Sequence, residues 1–238
     1  MDIEALNAQL QSLSAEARIQ TLAEQFGGVW AFSSSFGLED QALTELLLSS
    51  SLPNVNLRLI TLDTGRLFAQ TYQTWANTEA HFGRFFEAFY PEAEPLREWV
   101  QQNGINGFYQ SKSQRLECCQ LRKVEPLARA LAGSDVWVTG LRAAQSHSRS
   151  QLPIVEQVEG RLKFNPIADW SLERVQSQVV LSAVPYNPLH DEGFPSIGCE
   201  PCTRRITQGE SLRAGRWWWE SAGAQECGLH LSKTGSDQ

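Results

Sequence analysis

The chain has 238 residues, of which 42% are hydrophobic and 20% are charged, a composition typical of globular proteins with a full core. Its 20 basic and 27 acidic side chains give a net charge of -7, which argues against nucleic acid or anionic lipid as partners. The sequence has no apolar run as long as the roughly 18 residues of a membrane span, and it does not begin like a signal peptide. We therefore expect a cytoplasmic protein.

The first part of the chain predicts a leading helix followed by alternating strands and helices. Apolar residues at helical spacing indicate one amphipathic helix over residues 3–26, which Gly27 and Gly28 end. From Val29 to Thr139, short apolar runs alternate with helical stretches. This alternation predicts an α/β fold with a mostly parallel twisted sheet and helices on both faces.

The later part of the chain changes character twice. Glu159-Gly160 lies between two short apolar runs and predicts a hairpin, and Ser171 can cap a helix that runs to about Val184. After Pro185, prolines, glycines, cysteines and tryptophans crowd a region typical of functional loops. We expect a domain over residues 1–205 and a C-terminal segment over 206–238 that ends in a flexible tail.

Two polar turns follow predicted strands. Ser33-Ser34-Ser35-Phe36-Gly37 joins a strand to a helix, where hydroxyl and amide groups at a helix N-terminus favour an anion. Leu62-Asp63-Thr64-Gly65-Arg66 follows the next strand, so both turns belong to the carboxyl edge where open sheets bind ligands. Each turn taken alone is also consistent with simple capping chemistry.

Four cysteines form two close pairs, Cys118-Cys119 and Cys199-Glu200-Pro201-Cys202. Four thiolates in this arrangement suit zinc or an iron-sulfur cluster. Adjacent cysteines do not easily form the knuckle of a structural zinc site. We also expect Cys118-Cys119 to open a helix, whose N-terminus would stabilise thiolate charge. The pattern therefore favours a cluster, with zinc and inert buried thiols as the alternatives.

The fifth cysteine, Cys227, stands apart in Glu226-Cys227-Gly228-Leu229-His230. It follows Arg213 and Arg216 and lies near His230, and such cations lower a thiol pKa and produce a nucleophile. An incidental exposed thiol is the other interpretation.

Basic residues elsewhere can supply an anion clamp. Lys123 follows Cys119 by four positions, about one helical turn, which places a cation beside the expected metal site. Arg142 and Arg149 follow another predicted strand. A single arginine is usually a solvated surface charge, but several at one edge of an acidic protein indicate a phosphate or sulfate clamp.

Together these features resemble the assimilatory adenylyl-sulfate and phosphoadenylyl-sulfate reductases, which are related in fold to the PP-loop ATP pyrophosphatases of the adenine-nucleotide alpha-hydrolase type. The resemblance covers nearly the whole chain, and the terminal Glu-Cys-Gly-Leu-His is its most specific motif. Its other motifs are Ser33 to Gly37, Leu62 to Arg66, Cys118-Cys119 with Lys123, Gln145 to Arg149, Cys199 to Cys202 and Arg213 to Trp217.

The resemblance implies a reaction and a set of site residues. Cys227 would attack the sulfur of adenylyl sulfate, release AMP and become S-sulfonated, and a thioredoxin or glutaredoxin thiol would then free sulfite. The resemblance assigns the nucleotide to Ser34, Ser35, Leu62, Asp63 and Thr64. It assigns the phosphate and sulfate to Lys123, Arg149, Arg213, Arg216 and His230, to which the clamp interpretation adds Arg142.

The same resemblance implies a 4Fe-4S cluster on Cys118, Cys119, Cys199 and Cys202, because family members with both cysteine pairs look like cluster-bearing enzymes that prefer adenylyl sulfate. The cluster would have a structural or electrostatic role. The nearest alternative is a phosphoadenylyl-sulfate reductase. More distant ones are an RNA thiolation enzyme on the same sheet and a non-catalytic zinc-binding protein. A homo-oligomer is compatible with all of them.

Overall fold

A computed structural model describes residues 2–146 and 149–220 of the chain. Its centre is a six-stranded sheet in the order β3-β2-β1-β4-β6-β5, in which only the β5-β6 pair is antiparallel. The strands are β1 (Gly28–Ser34), β2 (Val55–Leu62), β3 (Glu87–Phe89), β4 (Val136–Val138), β5 (Val155–Val158) and β6 (Arg161–Phe164). The expected mostly parallel α/β fold is confirmed.

The N-terminal region contains two helices where the sequence predicted one. Helix α1 (Ile3–Gln11) ends at Ser12, and α2 (Ala15–Gln25) begins after Ser14, whose hydroxyl accepts from the Ala17 amide. The prediction of one continuous helix is therefore wrong. Serine competes with helical hydrogen bonding through its own side chain, and a new cap at Ser14 offsets the cost of the break.

In the first half of the sheet, β2 pairs with β1 and β3 pairs with β2 at the edge. Helix α3 (Leu38–Ser49) connects β1 to β2, and α4 (Ala69–Phe82) connects β2 to the edge strand β3. β1 and β2 pair along their full common length, from Gly28 with Val55 to Ser34 with Thr61. The two polar turns therefore leave the sheet side by side at its carboxyl edge.

Between β3 and β4 the chain forms helices that the sequence interpretation largely passed over. They are α5 (Ala93–Asn103), α6 (Lys112–Cys119) and α7 (Glu125–Ala130), with a π-helical turn at Gln120–Val124 between the last two. Cys118 and Cys119 lie at the end of α6, so the expectation that they open a helix is wrong. The N-terminal dipole therefore does not stabilise their thiolates, and nearby cations must do so.

The last strands confirm two local predictions. Glu159 and Gly160, both with positive φ (49° and 83°), join β5 to β6 in a tight hairpin. Helix α8 (Leu172–Leu181) begins after Ser171, whose hydroxyl accepts from the Arg174 amide. Beyond α8, Thr203 forms an isolated antiparallel bridge with Arg216, which ties the second cysteine segment to the basic motif.

Apolar side chains cover both faces of the sheet. Along β1, Trp30 and Phe32 contribute to the larger core with α1, α2, α3 and α8, while Ala31 faces the smaller core with Leu127 of α7. This alternation is the period of a strand buried on both faces. Within residues 2–146 and 149–220, no helix is long and apolar enough to cross a membrane.

Candidate active site

A cavity of about 240 Å³ lies at the carboxyl edge of the sheet. Chain order reverses between β1 and its neighbour β4, since β2 and β3 continue on one side and β4, β6 and β5 on the other. Such switch points leave a crevice between diverging loops, where open α/β sheets bind ligands. Both polar turns predicted from the sequence contribute to the cavity wall.

The serine turn forms one wall. Ser33, Ser34 and Ser35 all line the cavity, and Ser34 is 5% exposed. The Ser33 hydroxyl oxygen accepts from the Trp137 indole at 2.8 Å, and the Ser34 oxygen accepts from the Phe36 amide at 3.1 Å. Phe36 has φ of 58°, so the turn places its backbone in the left-handed region and buries its ring against Trp75.

The turn after β2 divides its residues between the cavity and the protein interior. Leu62 and Thr64 line the cavity, whereas Asp63 is not among its lining residues. The Asp63 carboxylate accepts from the Gly65 amide at 2.8 Å and from the Tyr72 hydroxyl at 2.7 Å. Asp63 thus stabilises the shape of the turn rather than facing the cavity.

The cations predicted from the sequence reach the same cavity from three segments. Lys123 comes from the π-helical turn, Arg149 follows the loop after β4, and Arg213 and Arg216 come from the C-terminal basic motif. Arg142 also lines the cavity, but it is 2% exposed and donates to the Glu39 carboxylate at 2.6 Å and to the Trp170 carbonyl at 3.1 Å. Its charge is therefore already paired within the protein.

The four paired cysteines line a second, smaller cavity adjoining the first. All four are buried and belong to one cluster with Trp217. Lys123 and Cys199 line both cavities. The hydroxyl of Thr64 lies 3.4 Å from the Cys199 sulfur, so the turn after β2 contacts both the first cavity and a cysteine.

Cations near the cysteines oppose the effect of burial on the thiol pKa values, and they outweigh it only at Cys199. Burial raises the pKa of Cys118, and it raises the pKa of Cys202 to about 12. Burial also acts on Cys199, but Lys123, the Thr64 hydroxyl and two arginines outweigh it and leave the pKa of Cys199 below its usual range. The guanidinium groups of Arg115 and Arg216 lie 4.8 and 4.7 Å from the ring centre of Trp217, beside the same cluster.

The geometry of the four thiols is informative about the metal centre they could hold. Among the described residues, no group of three or more His, Cys, Asp or Glu side chains is arranged to hold a metal ion. The four thiols line one shared cavity with four cations, Arg66, Arg115, Arg122 and Lys123. Four thiols around one space, within a positive environment, are a donor set that fits a thiolate-bound metal centre of net negative charge.

Three residues at the cavity were missed by the sequence interpretation. Asp40 is buried and accepts from Ser35, and Glu39 pairs with Arg142. His190 lines the cavity, and neither of its ring nitrogens has a hydrogen-bond partner among the described residues. Burial lowers the pKa of His190, which favours the neutral imidazole. Glu39 and Asp40 directly follow the serine turn, so their position after Gly37 was the available signal.

Two of the predicted residues, Cys227 and His230, lie outside the described residues. Glu220, seven positions before Cys227, is the last residue described. Its carboxylate is 9% exposed and forms two hydrogen bonds with Arg115, at 2.7 and 2.8 Å. The described part of the chain therefore ends beside the cysteine cluster.

Residues 30–205 match the phosphoadenosine phosphosulfate reductase domain family. The chain belongs to this family. An adenosine 5'-phosphosulfate reductase of Sinorhizobium fredii strain NGR234 is 44% identical over 237 residues, which cover 99% of this chain and 93% of the relative. A protein of the same name from Allochromatium vinosum is 49% identical over 201 residues, covering 84% and 77% of the two chains.

Solved structures agree with the family fold. The phosphoadenylyl-sulfate reductase of Candida auris, solved as a phosphate complex, aligns with a TM-score of 0.72 and 27% identity over 85% of this chain and 96% of that one. FMN adenylyltransferase of Candida glabrata aligns with a TM-score of 0.57 at 14% identity, over 98% and 79% of the chains. The second likeness concerns the sheet architecture alone.

Proposed function

We propose that this protein is an adenosine 5'-phosphosulfate reductase of sulfate assimilation, which supplies sulfite for cysteine biosynthesis. The observation that carries the proposal is the shared wall of the two cavities. Lys123 and Cys199 belong to both, so an anion in the first cavity would lie beside the four paired cysteines. The names and identities of the bacterial relatives support adenylyl sulfate as the substrate.

The proposed binding roles follow the chemistry of the cavity wall. Ser34, Ser35, Leu62 and Thr64 would hold the nucleoside part, where the wall consists of hydroxyl and backbone groups. The phosphate and sulfate would be held by the cations that line the cavity, namely Lys123, Arg149, Arg213 and Arg216. The family resemblance adds His230. Asp63 and Arg142 would act indirectly, Asp63 through its turn and Arg142 through Glu39.

In the proposed first step, the thiolate of Cys227 attacks the sulfate sulfur. A sulfur-sulfur bond forms while the sulfur-oxygen bond to the phosphate breaks, and the electron pair of that bond leaves with AMP. Negative charge increases on the departing phosphate oxygen. Cations already fixed in the cavity wall stabilise that charge without the reorganisation that water requires.

In the second step, a thiolate of thioredoxin or glutaredoxin attacks the Cys227 sulfur. The sulfur-sulfur bond breaks and sulfite departs with the bonding pair, which leaves a mixed disulfide between the two proteins. A second thiol of the reductant then releases Cys227 and forms the reductant's own disulfide. The two electrons that reduce the substrate therefore come from the partner's thiols.

We further propose that Cys118, Cys119, Cys199 and Cys202 hold a 4Fe-4S cluster. Their common cavity and the cations around it support this assignment. When bound, the cluster would supply structure and electrostatic tuning near the substrate's phosphate and sulfate. Lys123 lines both cavities, so its charge would lie beside the cluster and beside the substrate's phosphate and sulfate.

The first experiment is to purify the protein without oxygen and measure iron, acid-labile sulfide, zinc and thioredoxin-dependent sulfite release. We expect about four irons and four sulfides per chain. We expect sulfite to form from adenylyl sulfate in preference to the 3'-phosphorylated nucleotide. Zinc without sulfide and without sulfite formation would favour the non-catalytic alternative, and preference for the 3'-phosphorylated substrate would favour a phosphoadenylyl-sulfate reductase.

Cys227→Ser tests the nucleophile. The variant should bind AMP within about twofold of the unmodified protein but release no sulfite, because recognition groups remain while the thiol is gone. Incubation with sulfur-labelled substrate should label the unmodified chain but not the variant. Undiminished sulfite release by Cys227→Ser would refute the proposed mechanism.

A further inference from the structure

A loop over residues 187–198, here called the His190 loop, leads from the end of α8 to the second cysteine pair. Two contacts hold it near the start of α4. The side-chain amide of Asn187 donates to the Thr71 hydroxyl at 3.1 Å, and the Phe194 ring meets the Phe68 ring edge-on, with the ring centres 5.8 Å apart. The loop is therefore fixed by packing and hydrogen bonds within the protein.

Arg216 is attached to the end of this loop. Its Nη1 donates to the Ser196 hydroxyl oxygen at 3.3 Å and to the Ile197 carbonyl at 3.2 Å. The guanidinium packs so closely on the loop that a Cβ added at Gly198 would lie 2.3 Å from Nη2. His190, Ser196 and Arg216 all line the first cavity. The loop and the arginine therefore present their side chains to the same space.

The donors of this group are not used by the protein. Among the described residues, Arg216 Nε and both ring nitrogens of His190 are buried without a hydrogen-bond partner. The Ser196 oxygen accepts from Arg216, which leaves the hydroxyl proton of Ser196 available for donation. A buried donor without an acceptor is costly, so each of these groups requires a partner within the cavity.

His190 acts here as a neutral donor. Burial lowers the pKa of its ring, against the opposing effects of Glu39, Asp191 and the Phe194 backbone, which lies near the ring without hydrogen-bond geometry. A neutral imidazole has one N–H, and either nitrogen can carry it toward a ligand. Glu39 is paired with Arg142, which offsets the repulsion that its carboxylate would exert on an anion.

We propose that His190 and Ser196 each donate a hydrogen bond to the phosphate or the sulfate of the bound nucleotide, beside Arg216. The oxygens of these anions accept hydrogen bonds, so they complement a group of donors that lacks acceptors. The inference rests on the proposed function, in that the ligand is an adenine nucleotide with an anionic end. It adds two binding residues from a loop to which the sequence interpretation assigned none.

The test uses the Cys227→Ser protein, which cannot consume adenylyl sulfate, and measures dissociation constants by calorimetry. The ratio of the adenosine constant to the AMP constant reports the contribution of the phosphate, and the ratio of AMP to adenylyl sulfate reports that of the sulfate. His190→Ala should lower one of these ratios about tenfold, the effect of one hydrogen bond to a charged group. Ser196→Ala should do the same. The ratio that falls identifies the anion that each residue contacts.

Matched variants separate a direct contact from a structural effect. His190→Gln and Ser196→Thr keep a donor and should restore most of the lost ratio. His81→Ala and Ser177→Ala change exposed positions on α4 and α8, and they should leave both ratios unchanged.

Ser196→Ala also removes a contact of Arg216, so it is repeated in the Arg216→Ala background. A direct contact predicts that Ser196→Ala still lowers the ratio there. No further effect in that background would show that Ser196 only holds Arg216, and it would overturn the contact proposed for Ser196.

The inference is overturned if folded His190→Ala and Ser196→Ala bind all three ligands normally, or weaken all three by one common factor, because both ratios are then unchanged. If His190→Ala does not fold, His190→Phe fills the space without a donor and should lower the same ratio. Failure of the proposed function is distinguishable. A lowered adenosine-to-AMP ratio in these variants, in a chain whose unmodified form releases no sulfite from adenylyl sulfate, would refute the reaction and support the contact.

Discussion

At the scale of single residues, the site contains charged side chains that are hydrogen-bonded to other protein groups and charged side chains that line the cavities. Arg142 pairs with Glu39, and Asp63 accepts hydrogen bonds from Gly65 and Tyr72. Lys123, in contrast, lines both cavities. A sequence motif identifies residue types but does not show which of them are paired inside the protein. The contacts of each side chain therefore decide which variants are informative.

Lys123→Ala should reduce sulfite formation on the order of a hundredfold, because a fixed cation beside the developing phosphate charge is lost. Folding should be little affected, since Lys123 is only partly buried. Single-turnover sulfite formation and the midpoint of thermal unfolding measure the two effects. Lys112→Ala, at an exposed position in the adjoining helix, is the control and should change neither. Loss of folding without a specific loss of rate would contradict the assigned role.

Asp40 should make stability depend on pH. Its pKa is about 6 in the folded protein and 3.8 as an unperturbed carboxyl, so folding favours the protonated form. The contribution of protonated Asp40 to the free energy of unfolding is complete below about pH 4, and it is lost as the pH rises through about 6. The free energy of unfolding of Asp40→Asn, relative to the unmodified protein, should therefore rise between these values and then level off. Urea unfolding across this range measures it, and a difference independent of pH would contradict the prediction.

At the scale of elements, the segment from α6 to α7 organises the cysteine side of the site. Cys118 and Cys119 end α6, and the π-helical turn that follows carries Arg122 and Lys123 toward the same cavity. A π-type hydrogen bond spans five residues rather than four, so α-helical spacing does not give the direction of Lys123 from Cys119. Such turns are frequent at functional sites, and here one joins the two cavities.

The Arg115–Glu220 ion pair connects α6 with the end of the described chain. Glu220→Gln should lower the free energy of unfolding by about 3 kcal/mol, because it leaves the buried guanidinium without its counter-charge. Chemical unfolding measures this effect. The control is Glu94→Gln, which removes an exposed pair with Arg97 and should have no measurable effect. Equal free energies of unfolding for the two variants would show that the buried pair stabilises the protein no more than the exposed pair does.

At the scale of the whole molecule, segments far apart in sequence form one site at the switch point of the sheet. The turns after β1 and β2 line its cavity together with Cys199 and Arg216, which lie more than 130 residues beyond them in the chain. The Thr203–Arg216 bridge keeps the basic motif beside the second cysteine pair. Disturbing the cysteine cluster should therefore change the substrate cavity as well.

Cys199→Ser should reduce iron content and sulfite formation together, because Cys199 lines both cavities and contacts Thr64. Iron and sulfide analysis, together with AMP binding, separates loss of the metal centre from loss of the nucleotide site. Cys227→Ser is the matched comparison, since it should retain iron while losing turnover. Full activity of Cys199→Ser without iron would refute the need for the cluster.

The sequence alone determined the class of fold and the local turns. Alternating apolar runs predict a parallel sheet, and Glu159-Gly160 and Ser171 predict a hairpin and a helix start, because these signals act between near neighbours in the chain. The break at Ser12 to Ser14 and the π-helical turn escaped prediction, since competing local hydrogen bonds and tertiary packing decide them.

Only the tertiary structure decided how the site residues are used. It pairs Arg142 with Glu39, turns Asp63 inward, and commits the Ser35 proton to Asp40. These outcomes depend on distances of a few ångströms between side chains on different elements. A linear pattern does not contain them, because a hydrogen bond or ion pair depends on position and orientation as well as on residue type.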